Sequence, residues 1–185
     1  MIGHRVGTKR SDRRWEDDNG VWASKLEADI FASLRGNPSV TVRRCEPGSC
    51  DTVEYQSPVR SGKCLACGHR TVVQVRTYTP DFFVVPRNGP TTAGYHVEIK
   101  GYLSAADRTI LRDVKAAWPN LDLRVLLQRD GKCTPTKSRV EWTLYTLKAP
   151  VAVWDGRMIW TLPQGYNDGK PTTTTRPRSR RHKLR

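Results

Sequence analysis

Acidic residues are scarce in this chain. Only 18 Asp and Glu stand against 32 Lys and Arg over 185 residues, a formal net charge of +14. A surface so short of acid argues against cationic partners and favours phosphate backbones, from which basic side chains release condensed counterions. Charge of this kind names a partner class and not an activity, since ribosomal and chromatin proteins are equally basic. Long apolar runs are missing too. No stretch approaches the ~20 residues that span a bilayer, and residues 1–18 are polar, without the apolar region of a signal peptide. No membrane partner is expected, and the expected location is cytoplasmic. Cysteine is sparse, with five in the chain, and a reducing compartment disfavours a disulfide framework. The length suits one domain with a real core plus tails: a basic, mobile N-terminus over 1–18, the domain over 19–164 and a disordered basic tail over 165–185.

The cysteines that are present are grouped. Four residues separate Cys45 from Cys50, two separate Cys64 from Cys67, and thirteen lie between the pairs. Cys64-Leu65-Ala66-Cys67-Gly68 has the form of a zinc knuckle, whose tight turn brings two thiolates to one ion and whose glycine tolerates positive φ. Pro47 and Gly48 give the first pair a similar turn. The reading is a structural Zn²⁺ held by Cys45, Cys50, Cys64 and Cys67 in a zinc-ribbon-like insertion over 45–68, leaving Cys133 a free thiol. His69 adjoins the fourth cysteine, but four thiolates already fill a tetrahedral site.

The chemistry-bearing phrase is Tyr78-Thr79-Pro80-Asp81-Phe82-Phe83, followed seventeen residues after its aspartate by Val97-Glu98-Ile99-Lys100-Gly101. Strand side chains alternate faces, so Glu98 and Lys100 share one face while Val97 and Ile99 point into a core. The turn-rich 86–90 segment between the two apolar runs predicts a hairpin that brings Asp81 beside Glu98. Hard cations such as Mg²⁺ or Mn²⁺ take carboxylate oxygens, so Asp81 and Glu98 are the candidate ligands of an ion that meets a phosphate. Lys100 is placed to position or activate an attacking water and to offset charge on the phosphorane. A Glu-x-Lys alone is common on solvated strand edges; its pairing with Pro-Asp at the mouth of an apolar strand sets this one apart.

Periodicity outlines the rest. Residues 21–35 carry Trp22, Leu26, Ile30 and Leu34, a helical stripe stopped by Gly36 and Pro38. Strands are expected over 40–44 and 71–76, on either side of the cysteine segment. Ser104 with Asp107 three residues on predicts a capped helix buried through Ile110, Val114 and Trp118. A strand over 121–127 follows, so the strand, helix, strand order predicts a right-handed crossover against a mixed sheet, an α/β class. A short helix over 141–147 and short strands over 151–154 and 158–162 complete the reading. Trp22, Trp118, Trp142, Trp154 and Trp160 sit in apolar runs and read as core, and His96 as a partly buried residue outside the site.

Ser24-Lys25-Leu26-Glu27, Tyr78-Thr79-Pro80-Asp81-Phe82, Val97-Glu98-Ile99-Lys100-Gly101 and the run 107–127, with its Trp118-Pro119-Asn120-Leu121-Asp122 turn, together resemble the phage endonuclease I family of Holliday-junction resolvases, members of the PD-(D/E)XK nucleases. The resemblance covers about 21–127 apart from the cysteine insertion. It implies a restriction-endonuclease-like mixed sheet flanked by helices, and a catalytic set of Glu27, Asp81, Glu98 and Lys100 with magnesium held mainly by the carboxylates. It further implies cleavage of branched DNA in the cytoplasm of a host cell, by a symmetric homodimer that exchanges its first helix and strand. Glu27 has an independent structural reading as the partner of Ser24 in a capping box. The zinc insertion falls in the bridge through which the family exchanges. Either it lengthens that bridge and preserves a swapped dimer, or it gives the slack that folds Glu27 back onto its own chain. Two alternatives stay open: another PD-(D/E)XK nuclease, transposase-associated or mismatch-nicking, and a non-catalytic zinc-ribbon protein that binds nucleic acid.

Overall fold

The computed structural model describes residues 15–17, 20–49, 51–60, 71–87 and 94–164. A short antiparallel pair, β1 (Trp15–Asp17) and β2 (Gly20–Trp22), precedes the first helix, so part of the segment expected to be mobile is a strand. Helix α1 (Lys25–Gly36) starts four residues later than the apolar stripe does. Ser24 is extended and its hydroxyl accepts from the Glu27 N–H, which fixes the first turn there and leaves Val21 and Trp22 to β2. Asn37 caps the far end and its N–H donates to the Leu34 carbonyl.

The class is mixed α/β. Five strands pair in the order β3 (Val40–Arg44), β6 (Phe82–Pro86), β7 (Tyr95–Lys100), β8 (Leu123–Leu127), β9 (Val151–Val153). The first two pairings are antiparallel and the last two parallel, with helix α2 (Ala105–Ala117) as the crossover from β7 to β8. Ser104 and Asp107 form the expected capping box at its start. Interior strand β8 is buried along its whole length and reads Leu-Arg-Val-Leu-Leu, as a strand covered on both faces must.

Two apolar cores sandwich the sheet. On one face Ile30 and Leu34 of α1 pack with Phe82, Val84, Val97, Ile99 and Leu126. Trp22 lies under α1 with its ring centroid 4.9 Å from Phe31 and 6.2 Å from Phe82. On the other face Leu111 and Val114 of α2 meet Leu123, Val125 and Leu127. Trp142 is in that core, while Trp154 and Trp160 pack against the α1 side.

Strands β4 (Val53–Arg60) and β5 (Thr71–Tyr78) do not join the main sheet. They pair with each other as an eight-residue antiparallel hairpin. One face of this hairpin docks on the α2 side through Val53, Tyr55 and Tyr78. The Ser57 hydroxyl donates to Asp113 of α2 at 3.0 Å, and the Trp118 indole donates to the Glu54 carbonyl at 2.7 Å. At the base of the hairpin the Thr52 and Thr79 hydroxyls meet at 2.9 Å. Buried Asp51 takes a bidentate guanidinium from Arg43 and a contact from His96 Nε2 at 3.2 Å. Of the expected zinc ligands only Cys45 is described, buried just past β3; Cys50, Cys64 and Cys67 lie outside the described residues, as does the tail over 165–185.

The C-terminal part differs from expectation in detail. A helical turn α3 (Arg139–Glu141), capped by Ser138, runs into a π-helical segment at Trp142–Leu147. Residues 158–162 make a single bridge, Thr161 to Val151, and not a strand. Among the described residues no helix is long and apolar enough to cross a membrane.

Candidate active site

The β6 and β7 runs form the expected hairpin, with Phe82 opposite Val97. That register puts Asp81, the residue before Phe82, at the level of Glu98. Its N–H donates to the Val97 carbonyl at 3.1 Å, and one of its carboxylate oxygens accepts the Ile99 N–H at 2.6 Å. Asp81 is therefore clamped to the backbone of β7 by both its main chain and its side chain. Alternation along β7 sends Val97 and Ile99 into the α1-side core and Glu98 and Lys100 the other way, towards α2.

Glu98 is 4% exposed, and both of its oxygens are answered. The Lys100 ammonium lies 2.7 Å from Oε1, and the Tyr78 hydroxyl donates to Oε2 at 2.6 Å. Lys100 makes a second ion pair, 3.3 Å to Oδ1 of Asp107, while Oδ2 of Asp107 accepts the Ser104 N–H in the capping box. Glu27, in the first turn of α1, donates its N–H to the Ser24 hydroxyl at 3.2 Å and accepts that hydroxyl on its carboxylate at 3.1 Å, so the serine half of the expected capping box forms. Its charge is also felt at Asp81 of the same chain. Asp81, Glu98 and Lys100 thus meet at one point, while the direct side-chain contact of Glu27 is with Ser24.

Electrostatics at this point are crowded. Burial, then the charge of Glu98, hold the Asp81 carboxyl well above the usual carboxylate range; Glu27 adds to this, and the Ile99 N–H and Lys100 oppose it without prevailing. Burial pushes the Tyr78 phenol up as well, reinforced by Glu98, so it remains a neutral donor. For Lys100 burial works downward, but the charge and hydrogen bond of Glu98, with Asp81 and Asp107, reverse it and keep an ammonium. Burial would raise Asp107, and the Ser104 bond and Lys100 outweigh that to keep it ionised. Asp81 and Glu98 bring the hard oxygens that a divalent cation takes, but here those oxygens are engaged by Lys100, Tyr78 and the Ile99 N–H. As it stands, no group of three or more His, Cys, Asp or Glu side chains among the described residues is arranged to hold a metal ion.

Two members of the cluster escaped the sequence reading. Tyr78 stands in the Thr-Pro-Asp phrase but reads as an apolar strand end, although a buried tyrosine needs a partner for its hydroxyl. Asp107 reads as a cap and nothing more. His96 has the parity of Glu98 and Lys100, and it is tied instead to Asp51 and packed at a tilt against Phe83, their ring centroids 4.9 Å apart.

An aspartate raised by its surroundings weakens the fold when it ionises. Below the ordinary Asp pKa near 4, native and unfolded chains both carry it neutral; above that, the unfolded chain releases the proton and the native chain resists, so stability falls as pH rises towards the raised native value. Asp81→Asn keeps the acceptor for Ile99 and cannot ionise. In chelator near pH 7 it should therefore melt higher than the parent, by about 2–4 °C for each kcal/mol relieved, with the gain vanishing near pH 3. Thermal unfolding at the two pH values measures this, and an equal or negative shift at both would contradict the crowding.

No family model matches this sequence, no curated protein matches it and no solved structure matches it.

Proposed function

We propose that the protein is a metal-dependent endodeoxyribonuclease that cuts branched DNA, most readily a four-way junction, at the Asp81, Glu98 and Lys100 cluster. The observation that carries this reading is the pairing of Asp81 with a Glu-x-Lys strand: two carboxylates within mutual electrostatic reach and a lysine held as an ammonium beside them. Asp81 and Glu98 would hold Mg²⁺ or Mn²⁺, with Glu27 nearby. A bound divalent ion supplies charge neutralisation at the scissile phosphate and activation of the attacking water. Lys100, kept protonated in the metal-free protein, contributes charge and hydrogen-bond donation and not proton abstraction. Tyr78 and Asp107 are positioning residues, which hold Glu98 and Lys100 in their present rotamers. The +14 net charge supports a polyanionic substrate, and the resemblance to resolvases supports the branched form.

On this reading Asp81→Ala and Glu98→Ala bind a four-way junction as the parent does, because the basic surface is intact, and lose cutting in magnesium by a factor of 10² or more. A comparison of matched linear, nicked, forked and four-way DNAs provides the test, and normal cutting by either variant would reject the assignment. Cutting of no DNA by the parent would leave a non-catalytic binding protein.

Two incisions across a junction call for two centres related by symmetry, so a homodimer is proposed. Each centre is proposed to come from a single chain, a reading supported by the electrostatic influence of Glu27 on Asp81 of the same chain. Refolding Glu27→Ala chains together with Lys100→Ala chains should then recover no nicking, because every centre keeps a lesion. Recovery in verified heterodimers would establish exchange of α1 between subunits.

A structural zinc on Cys45, Cys50, Cys64 and Cys67 is proposed, and it makes a steric demand: Cys45 lies at the Val53 and Tyr78 end of the β4–β5 hairpin while Cys64 and Cys67 follow Arg60 at the other end, about 23 Å along the eight paired residues, so one ion on all four thiolates would require residues 61–70 to reach back along the hairpin. In the metal-free chain burial, then Asp51, push the Cys45 thiol up to about 12, so ion binding has to release its proton. Elemental analysis should find about one zinc per chain, and Cys64→Ser with Cys67→Ser should remove it and lower the melting temperature. Zinc-free parent protein, purified without chelator, would refute the site.

A further inference from the structure

Helix α2 leads from the carboxylate cluster to a cavity of about 310 Å³ lined by Arg112, Lys115, Thr146 and Lys148, with apolar walls. No Asp or Glu is among the described residues that line it. Arg108, Arg112 and Lys115 follow at intervals of four and three, so they share one flank of α2. Asp113 lies off that flank and is tied to β4 through Ser57. The basic flank begins one residue after Asp107, the partner of Lys100.

One cation of this cavity, Lys115, is built in, while Arg112 and Lys148 reach it from the exposed surface. Lys115 Nζ donates to the carbonyls of Pro119 at 3.3 Å and Leu121 at 2.9 Å, neutral partners that fix its position without cancelling its charge. Burial pulls it below the ordinary lysine range, only partly offset by Asp122, so an added anion would be favourable there. Lys148 sits at φ 55, closing the π-helical segment where glycine would be relaxed. Thr146 brings a hydroxyl to the lining. A mixed lining of cations, hydroxyl and apolar walls suits a phosphodiester with its sugar edge, and not a small free anion.

We propose that this cavity is a second phosphate anchor that seats the DNA backbone at a fixed distance from the scissile bond. Lys115 lies eight residues along α2 from Asp107, about 12 Å at the helical rise, on the order of a duplex groove. The anchor rests on the proposed nucleic-acid substrate, but it is tested without cleavage.

Arg112 and Lys148 are both exposed, so Arg112→Gln with Lys148→Gln leaves the core untouched. Fluorescence anisotropy of labelled four-way and linear DNA, in chelator over a range of salt, should give the double variant about tenfold or more weaker binding and a log K against log salt slope flatter by about 1–2. A control that removes two exposed charges elsewhere, Lys132→Gln with Arg157→Gln, should lose less. Parental affinity and slope in the double variant, or equal losses in the control, would overturn the anchor. So would inorganic phosphate that occupies the cavity without competing with DNA. A parent that binds no DNA would overturn both anchor and nuclease; a parent that binds through the cavity but cuts nothing in magnesium would overturn the nuclease alone.

Discussion

A carboxylate buried in the middle strand of a five-stranded sheet has to be answered, and much of this structure is arranged around the answer to Glu98. Leaving such a charge alone inside a protein costs several kcal/mol. Here one oxygen is met by a cation two residues along the same strand and the other by a phenol from a different sheet. The cation needs its own counterweight, which comes from the first turn of α2. Through these contacts the β4–β5 hairpin, strand β7 and helix α2 share one polar junction, although the hairpin and α2 pack in one apolar core and the inward residues of β7 in the other.

Asp81 is the member of that junction that is not comfortable. Its backbone clamp and side-chain bond to Ile99 keep it beside Glu98 whatever its charge state. The fold thus holds in place an acid that its surroundings would prefer neutral. Such a conflict between stability and placement is common where a site is built for a ligand that supplies the missing positive charge. Structural ion-pair networks also perturb acids, but they relieve the charges they gather, as Asp51 is relieved by Arg43 and His96 a short way along the same sheet.

What was legible in the sequence was what depends on local pattern. The alternation around Glu98 and Lys100, the capped start of α2 and the apolar stripe of α1 each state their geometry within a few residues. The Asp81 to Glu98 meeting was legible because a single hairpin connects them. The independent β4–β5 hairpin was not, because strands flanking a cysteine segment read equally well as neighbours in one sheet. Tyr78 and Asp107 carry plausible local roles, strand end and cap, that conceal their long-range partners. The π-helical segment was read simply as helix, since its wider hydrogen-bond spacing leaves no sequence signature over six residues.

The β4–β5 hairpin looks in sequence like a cassette dropped between two strands of a simpler fold. Its boundaries tell against that view. Asp51 at the entrance ties Arg43 to His96, and Tyr78 at the exit answers the second carboxylate oxygen of Glu98. A shorter version made by joining residue 45 directly to residue 79 would keep every strand of the main sheet, yet it would leave one oxygen of buried Glu98 without its tyrosine partner and unpin a histidine and an arginine. The segment is therefore not modular: chains that lack it need a different residue to satisfy the same carboxylate, and the two architectures cannot be interconverted by excision alone.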